Sequence, residues 1–242
     1  MRTISGGRTL YGHSLGILML DTIFPRVPGD VGNAMTWPFP VRYKVLKGVS
    51  PDRVMGGTPD ADTLRHFIDG ARELEAEGVS AITTSCGFLA AYQRELANAV
   101  SVPVLTSSLL QVPLVANLIQ PDQTVGILTE RPNLNASHFT AAGWSPDDIL
   151  VRIATLPAAA VFPTVFIDGK ETADLDVLED EIVSAATDLQ NSYSDVAAIV
   201  LECTNFVPFS FAIRQATKLP VFDLYTLVMQ VHEATSGRGF DR

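Results

Sequence analysis

The sequence predicts an α/β fold of two pseudo-symmetric lobes, each built on a parallel sheet, with a site in the cleft between them. Three observations carry this. Short apolar runs alternate with helical patterns along the 242 residues, the second half repeats the first, and the only two cysteines fall at equivalent places in the two halves. "GVSAITTSCGF" at 78–88 overlays "DVAAIVLECTNF" at 195–206, and each is followed by a short strand containing proline. Cys86 and Cys203 lie 117 positions apart, as do Pro103 and Pro220, and "LGILMLDT" (15–22) likewise pairs with "VGILTER" (125–131).

The elements follow in order. Residues 15–21, 79–84, 124–129 and 196–201 are apolar runs too short for helices, as expected of strands buried on both faces. A further short strand is expected near 41–47, inside the Pro-, Gly- and aromatic-rich stretch 24–58. That stretch has no counterpart of equal length in the second half and reads as a loop over the cleft. Leu64, Phe67, Ile68, Ala71 and Leu74 recur at helical spacing, as do Leu175, Leu178, Ile182, Ala185 and Leu189. Asp60 and Asp174 are placed to cap these helices, and Gly78 to end the first. Strands alternating with helices imply right-handed parallel crossovers, and such sheets collect ligands at the carboxyl ends of their strands. Both cysteines stand at such ends.

Composition narrows the functions. With 17 Lys+Arg against 27 Asp+Glu the formal charge is −10, which repels phosphate backbones and anionic lipid, so neither nucleic acid nor membrane is an expected partner. A small anionic substrate would be held by local donors at helix starts. No apolar run has the length of a membrane span, and the start "MRTISGGRTLYGHS" lacks a signal peptide's apolar core, which predicts a cytoplasmic protein with free thiols. No metal is expected, because neither cysteine has a second Cys or a His at ligand spacing. Homo-oligomerisation is left open.

Two thiols facing one another across a cleft can act as base and acid on opposite faces of a carbon, which inverts a stereocentre. Helix-like segments follow both cysteines, and their dipoles would favour thiolate. A lone cysteine is more often a small buried hydrophobe, but two at matched strand ends favour chemistry. Glu202 is expected to pack outward or be paired, since neighbours along a strand point to opposite faces. His138 is as readily a solvent-facing helix residue as a proton carrier. His13, His66 and His232 read as structural, and one of Arg26, Arg42, Lys44, Lys47 and Arg53 could reach a substrate carboxylate from the long loop, although a charge cluster on a loop is usually just solvated. "PGDVGN" with Asn33 carries a weak signal for an anion-cradling loop.

These residues give the chain its resemblance to the aspartate/glutamate racemase superfamily. That superfamily comprises cofactor-independent racemases, including hydantoin racemases, with arylmalonate decarboxylase and maleate isomerase as relatives. "GILMLDT" looks like that family's first strand, "TTSCGF" occupies the first catalytic cysteine position, and "ECTNF" is similar to the second motif. The resemblance implies two flavodoxin-like lobes, with residues 1–107 and 222–242 forming lobe 1 and 108–221 forming lobe 2. It implies Cys86 and Cys203 as catalytic acid and base, no cofactor, and substrate binding by Asp21, Thr22, Thr84, Ser85, Gly87, Thr129, Thr204 and Asn205. Where glutamate racemases have Asn and Thr after the first cysteine, Gly87 and Phe88 stand here, which points to a different or less polar substrate. The expected activity is racemisation or epimerisation beside a carboxylate, of an amino acid or a hydantoin-like compound. The rivals are a maleate-type cis-trans isomerase using a cysteine nucleophile and a non-catalytic small-acid-binding protein.

Overall fold

The computed structural model describes residues 3–55 and 60–236. It contains two four-stranded parallel sheets of the same topology. In the first, β1 (Leu15–Leu20) lies between β2 (Val41–Leu46) and β3 (Ala81–Thr84), with β4 (Val104–Leu105) outside β3. The second repeats this with β5 (Thr124–Thr129) between β6 (Val151–Thr155) and β7 (Val196–Leu201), and β8 (Val221–Phe222) outside β7. Register follows the repeat: Leu18 pairs with Thr84 across β1 and β3, and Leu128 with Leu201 across β5 and β7. Both central strands are buried along their whole length, which is why they read as unbroken apolar runs.

Helices cover both faces of each sheet. Helix α1 (Ala61–Glu77) begins where Asp60 accepts hydrogen bonds from the N–H groups of Asp62 and Thr63, and ends at Gly78 in the left-handed conformation (φ 91°). It buries Phe67, Ala71 and Leu74 in one core with α2 (Gln93–Ala99). In the second lobe α3 (Val112–Leu118) and α4 (Ala136–Ala141) pack one face of the sheet. The other face takes α5 (Phe162–Phe166), α6 (Leu175–Ser192, capped by Asp174) and α7 (Ser210–Thr217). The last helix, α8 (Leu224–Ser236), returns to the first sheet and packs Leu224, Leu227 and Val228 against Leu15 and Ile17. No helix among the described residues is long and apolar enough to cross a membrane.

The stretch 24–58 folds as two short 3-10 turns (Ala34–Thr36 and Pro51–Arg53) around β2, its residues 56–58 lying outside the described ones. The "PGDVGN" segment spends its N–H groups internally: Gly29 donates to the Thr36 hydroxyl (2.9 Å) and Gly32 to the Asp30 carboxylate (2.7 Å). With its donors consumed, it has no cradle for an anion.

Candidate active site

The segments after the two cysteines differ from the expected helices. Each cysteine opens a six-residue 3-10 turn, Gly87–Tyr92 and Thr204–Phe209, and only then do α2 and α7 begin. The main-chain N–H groups of Phe88 and Leu89 favour thiolate at Cys86, and that of Asn205 favours it at Cys203. A hydroxyl-to-carbonyl bond ties the second turn to the first lobe: Thr204 Oγ1 donates to the Ser85 carbonyl (2.8 Å).

Between the turns lies a small, tightly enclosed pocket onto which both cysteines open. It brings together Cys86, Cys203, Thr22, Ser85, Gly87, Thr204 and Asn205 from the expected set. The long loop supplies Phe24, Arg26, Pro51 and Met55 to its walls, and the remainder includes Leu20, Phe88, Phe166 and Ile167.

Three expected residues do not line it. Asp21 turns to the loop after β2, where its carboxylate accepts from the Gly48 N–H (3.0 Å) and the Lys47 ammonium (3.1 Å), bonds that lower its pKa. Thr84 donates to the Thr106 carbonyl (2.7 Å), fastening the segments that follow β3 and β4. Thr129 donates to Glu202 Oε2 (2.6 Å) and positions that carboxyl. Two lining hydroxyls are also engaged: Ser85 accepts from the Leu20 N–H (2.9 Å) and Thr22 from the Arg26 guanidinium (2.8 Å).

Two buried carboxyls in the pocket were not among the expected site residues. Glu202 was expected to face away from Cys203, but β7 ends at Leu201, so strand alternation no longer governs 202 and 203, and both line the pocket. Glu130 is the repeat counterpart of Leu20, and Glu202 of Ser85, both of which line the same pocket. The duplication therefore held the signal for both. Cys203 Sγ donates to Glu130 Oε2 (3.7 Å). Burial pushes Glu130 up to about 7, against the pull of Arg131, and Glu202 up to about 8, against the Thr129 hydrogen bond.

The same environment reverses the expectation for the thiols. Burial first, and the negative charge of Glu130 and Glu202 second, raise both cysteines well above the ordinary thiol range. The N–H groups at the turn starts lower them, by less. The surroundings therefore favour the neutral form of both thiols.

Among the described residues, Arg26 is the one cationic side chain lining the pocket. Its guanidinium donates to Asp30 (2.6 Å) and lies 4.3 Å from the Phe24 ring centroid. His138, read as equally able to face solvent, is instead fully buried, with Nδ1 accepting from the Asn135 N–H (3.2 Å) and its ring against the pocket residue Phe88.

The fold and the paired cysteines define the class of protein. The structure superposes on a glutamate racemase from Bacillus anthracis with a TM-score of 0.59 at 14% identity, covering 94% of this chain and 84% of that one. It superposes on unliganded arylmalonate decarboxylase with a TM-score of 0.58 at 15% identity, covering 95% and 94%. The two-lobed fold is that of the aspartate/glutamate racemase superfamily.

No family model matches the chain. It is 32% identical over 215 residues to the dimethylsulfoniopropionate lyase of Durusdinium sp. clade D, covering 87% of this chain and 71% of that protein. It is 31% identical over 221 residues to dimethylsulfoniopropionate lyase 3 of Emiliania huxleyi, covering 88% of this chain but 57% of that longer relative. The chain belongs to the dimethylsulfoniopropionate lyase family. The expected two-lobed fold stands, whereas the isomerase assignment finds no support in these relatives, which are named as lyases.

Proposed function

We propose that the chain is a lyase that cleaves dimethylsulfoniopropionate into dimethyl sulfide and acrylate. The observation that carries this is the pair of cysteines, one from each lobe, in a closed pocket of a chain from a lyase family.

The chemistry follows from the substrate. A proton on the carbon beside the carboxylate is weakly acidic, and its removal is common to racemisation and to elimination. In elimination the α C–H bond breaks, its electron pair becomes the C=C bond, and the C–S bond breaks with its electrons going to sulfur. The proton resides on the cysteine thiol and is then released to water. Dimethyl sulfide is a neutral leaving group from a sulfonium, so the step needs no acid at sulfur. One thiolate suffices as base, and the N–H groups of Phe88, Leu89 and Asn205 can hold negative charge on the thiolates. Arg26 is placed to anchor the carboxylate, and the apolar lining (Leu20, Met55, Phe88, Phe166, Ile167) suits the S-methyl groups.

The experiment is headspace detection of dimethyl sulfide from purified protein and substrate, with Cys86→Ala and Cys203→Ala compared. Removing the thiol that takes the proton should lower kcat/KM by roughly 10²- to 10⁴-fold. Full activity in both single variants and in the double variant would overturn the assignment. One observation favours a second reading, racemisation: the cysteines occupy equivalent positions after β3 and β7, so each presents a thiol to the same pocket. Cysteine-dependent α-hydrogen exchange with inversion of a chiral acid, in the absence of dimethyl sulfide, would establish it instead.

A further inference from the structure

Glu130 and Glu202 are 5% and 0% exposed, and both line the pocket. One oxygen of each is accounted for, by the Cys203 thiol and the Thr129 hydroxyl respectively. The other, Oε1 in both, is buried with no hydrogen-bond partner, and neither carboxyl forms an ion pair among the described residues. Buried carboxyls are normally paired or fully hydrogen-bonded, because desolvation is otherwise uncompensated. Two buried carboxyl oxygens without partners in one small pocket point to a ligand that brings positive charge and, by doing so, draws these carboxyls into their ionised form.

The neighbouring groups indicate what kind of cation. Phe88 and Phe166 line the same pocket. Aromatic faces attract cations whose charge is spread over methyl groups, and such cations have no N–H to satisfy. A primary ammonium would seek further acceptors. Gly87 belongs to the same arrangement: a Cβ there would stand 2.3 Å from Glu202 Oε1, so the absent side chain leaves the carboxyl its place.

We propose that Glu130 and Glu202, with the rings of Phe88 and Phe166, form a recess that recognises the methylated cationic end of the substrate. The inference deepens the lyase reading and rests on it for the identity of that cation. As the C–S bond breaks the positive charge disappears, so the recess stabilises the bound ground state rather than the transition state. Variants of these carboxyls therefore raise KM without lowering kcat.

The test is calorimetric binding to the full chain of two matched probes: 3-(trimethylammonio)propionate, and 4,4-dimethylpentanoate, which replaces the charged nitrogen by carbon. The wild type should prefer the cation by about 10-fold or more, and Glu202→Gln or Glu130→Gln should each erase about 10-fold of that preference. Both variants should bind the neutral probe within about 2-fold of wild type, since glutamine retains an acceptor for Thr129 or for the Cys203 thiol. No cation preference in the wild type, no binding of the cation at all, or equal weakening of both probes in the variants would overturn the recess. Selective binding without release of dimethyl sulfide would remove the lyase reading and leave the recess standing. Release of dimethyl sulfide without charge selectivity would remove the recess alone.

Discussion

Gly87→Ala should destabilise the protein through a contact between the lobes. A Cβ at this position would stand 2.0 Å from the main-chain oxygen of Glu202 and 2.3 Å from its Oε1. To restore an ordinary separation of 3.4 Å, the chain at 202 must retreat by about 1.4 Å. That segment is pinned by the Glu202 N–H bond to the Leu128 carbonyl (2.9 Å) and by Thr129, so it moves only by straining or breaking them. Overpacking of this kind, with one hydrogen bond weakened, costs about 3 kcal/mol. For a chain of this size, that lowers Tm by roughly 6 to 12 °C. Thermal unfolding followed by circular dichroism measures it, with Gly6→Ala as the control, since a Cβ there meets nothing within 4 Å. Because the shorter contact is to the main chain, Gly87→Ala/Glu202→Gly should regain only part of the loss. A Tm for Gly87→Ala within 2 °C of wild type would refute the reasoning that the lobes meet this closely at the site.

Stability should also depend on pH through the buried carboxyls. Glu202 and Glu130 keep their protons to about 8 and about 7, against 4.5 as the ordinary value, so the native state binds more protons than the unfolded chain between these limits. Their contribution is present below pH 4.5 and is lost as pH rises through 7 to 8. Glu202→Gln should therefore gain on wild type in Tm at pH 9 relative to pH 5, and an equal difference at both pH values would contradict this. Lys218, at the end of α7, holds a left-handed φ of 59°. Lys218→Gly should relieve about 1 kcal/mol, raising Tm by roughly 2 to 4 °C in the same assay.

Much of this architecture was legible because the duplication is strong. Matching Gly16 to Gly126 and Cys86 to Cys203 located the central strands of both sheets, and the caps at Asp60, Gly78 and Asp174 stand where helical periodicity required them. The site was only partly legible. Hydroxyls near a strand end look alike in sequence, yet Thr84 and Thr129 are consumed by Thr106 and Glu202, and Asp21 by the turn at Gly48. Glu202 was misplaced by extending strand alternation one residue past Leu201, and Glu130 was passed over because its repeat counterpart is an unremarked leucine. The thiols were expected to be acidic from helix starts alone, but they sit in a closed pocket with two carboxyls, and burial outweighs the N–H groups. Such long-range encounters leave no local pattern.

The most direct test of the central claim is proton NMR of the purified chain in deuterium oxide, with dimethylsulfoniopropionate in one series and chiral amino acids and hydantoins in another. Acrylate and dimethyl sulfide appearing in equal amounts, with loss of both in Cys86→Ala/Cys203→Ala and no α-hydrogen exchange in the second series, is the predicted result. Intact dimethylsulfoniopropionate beside cysteine-dependent α-exchange of an amino acid or hydantoin would contradict it.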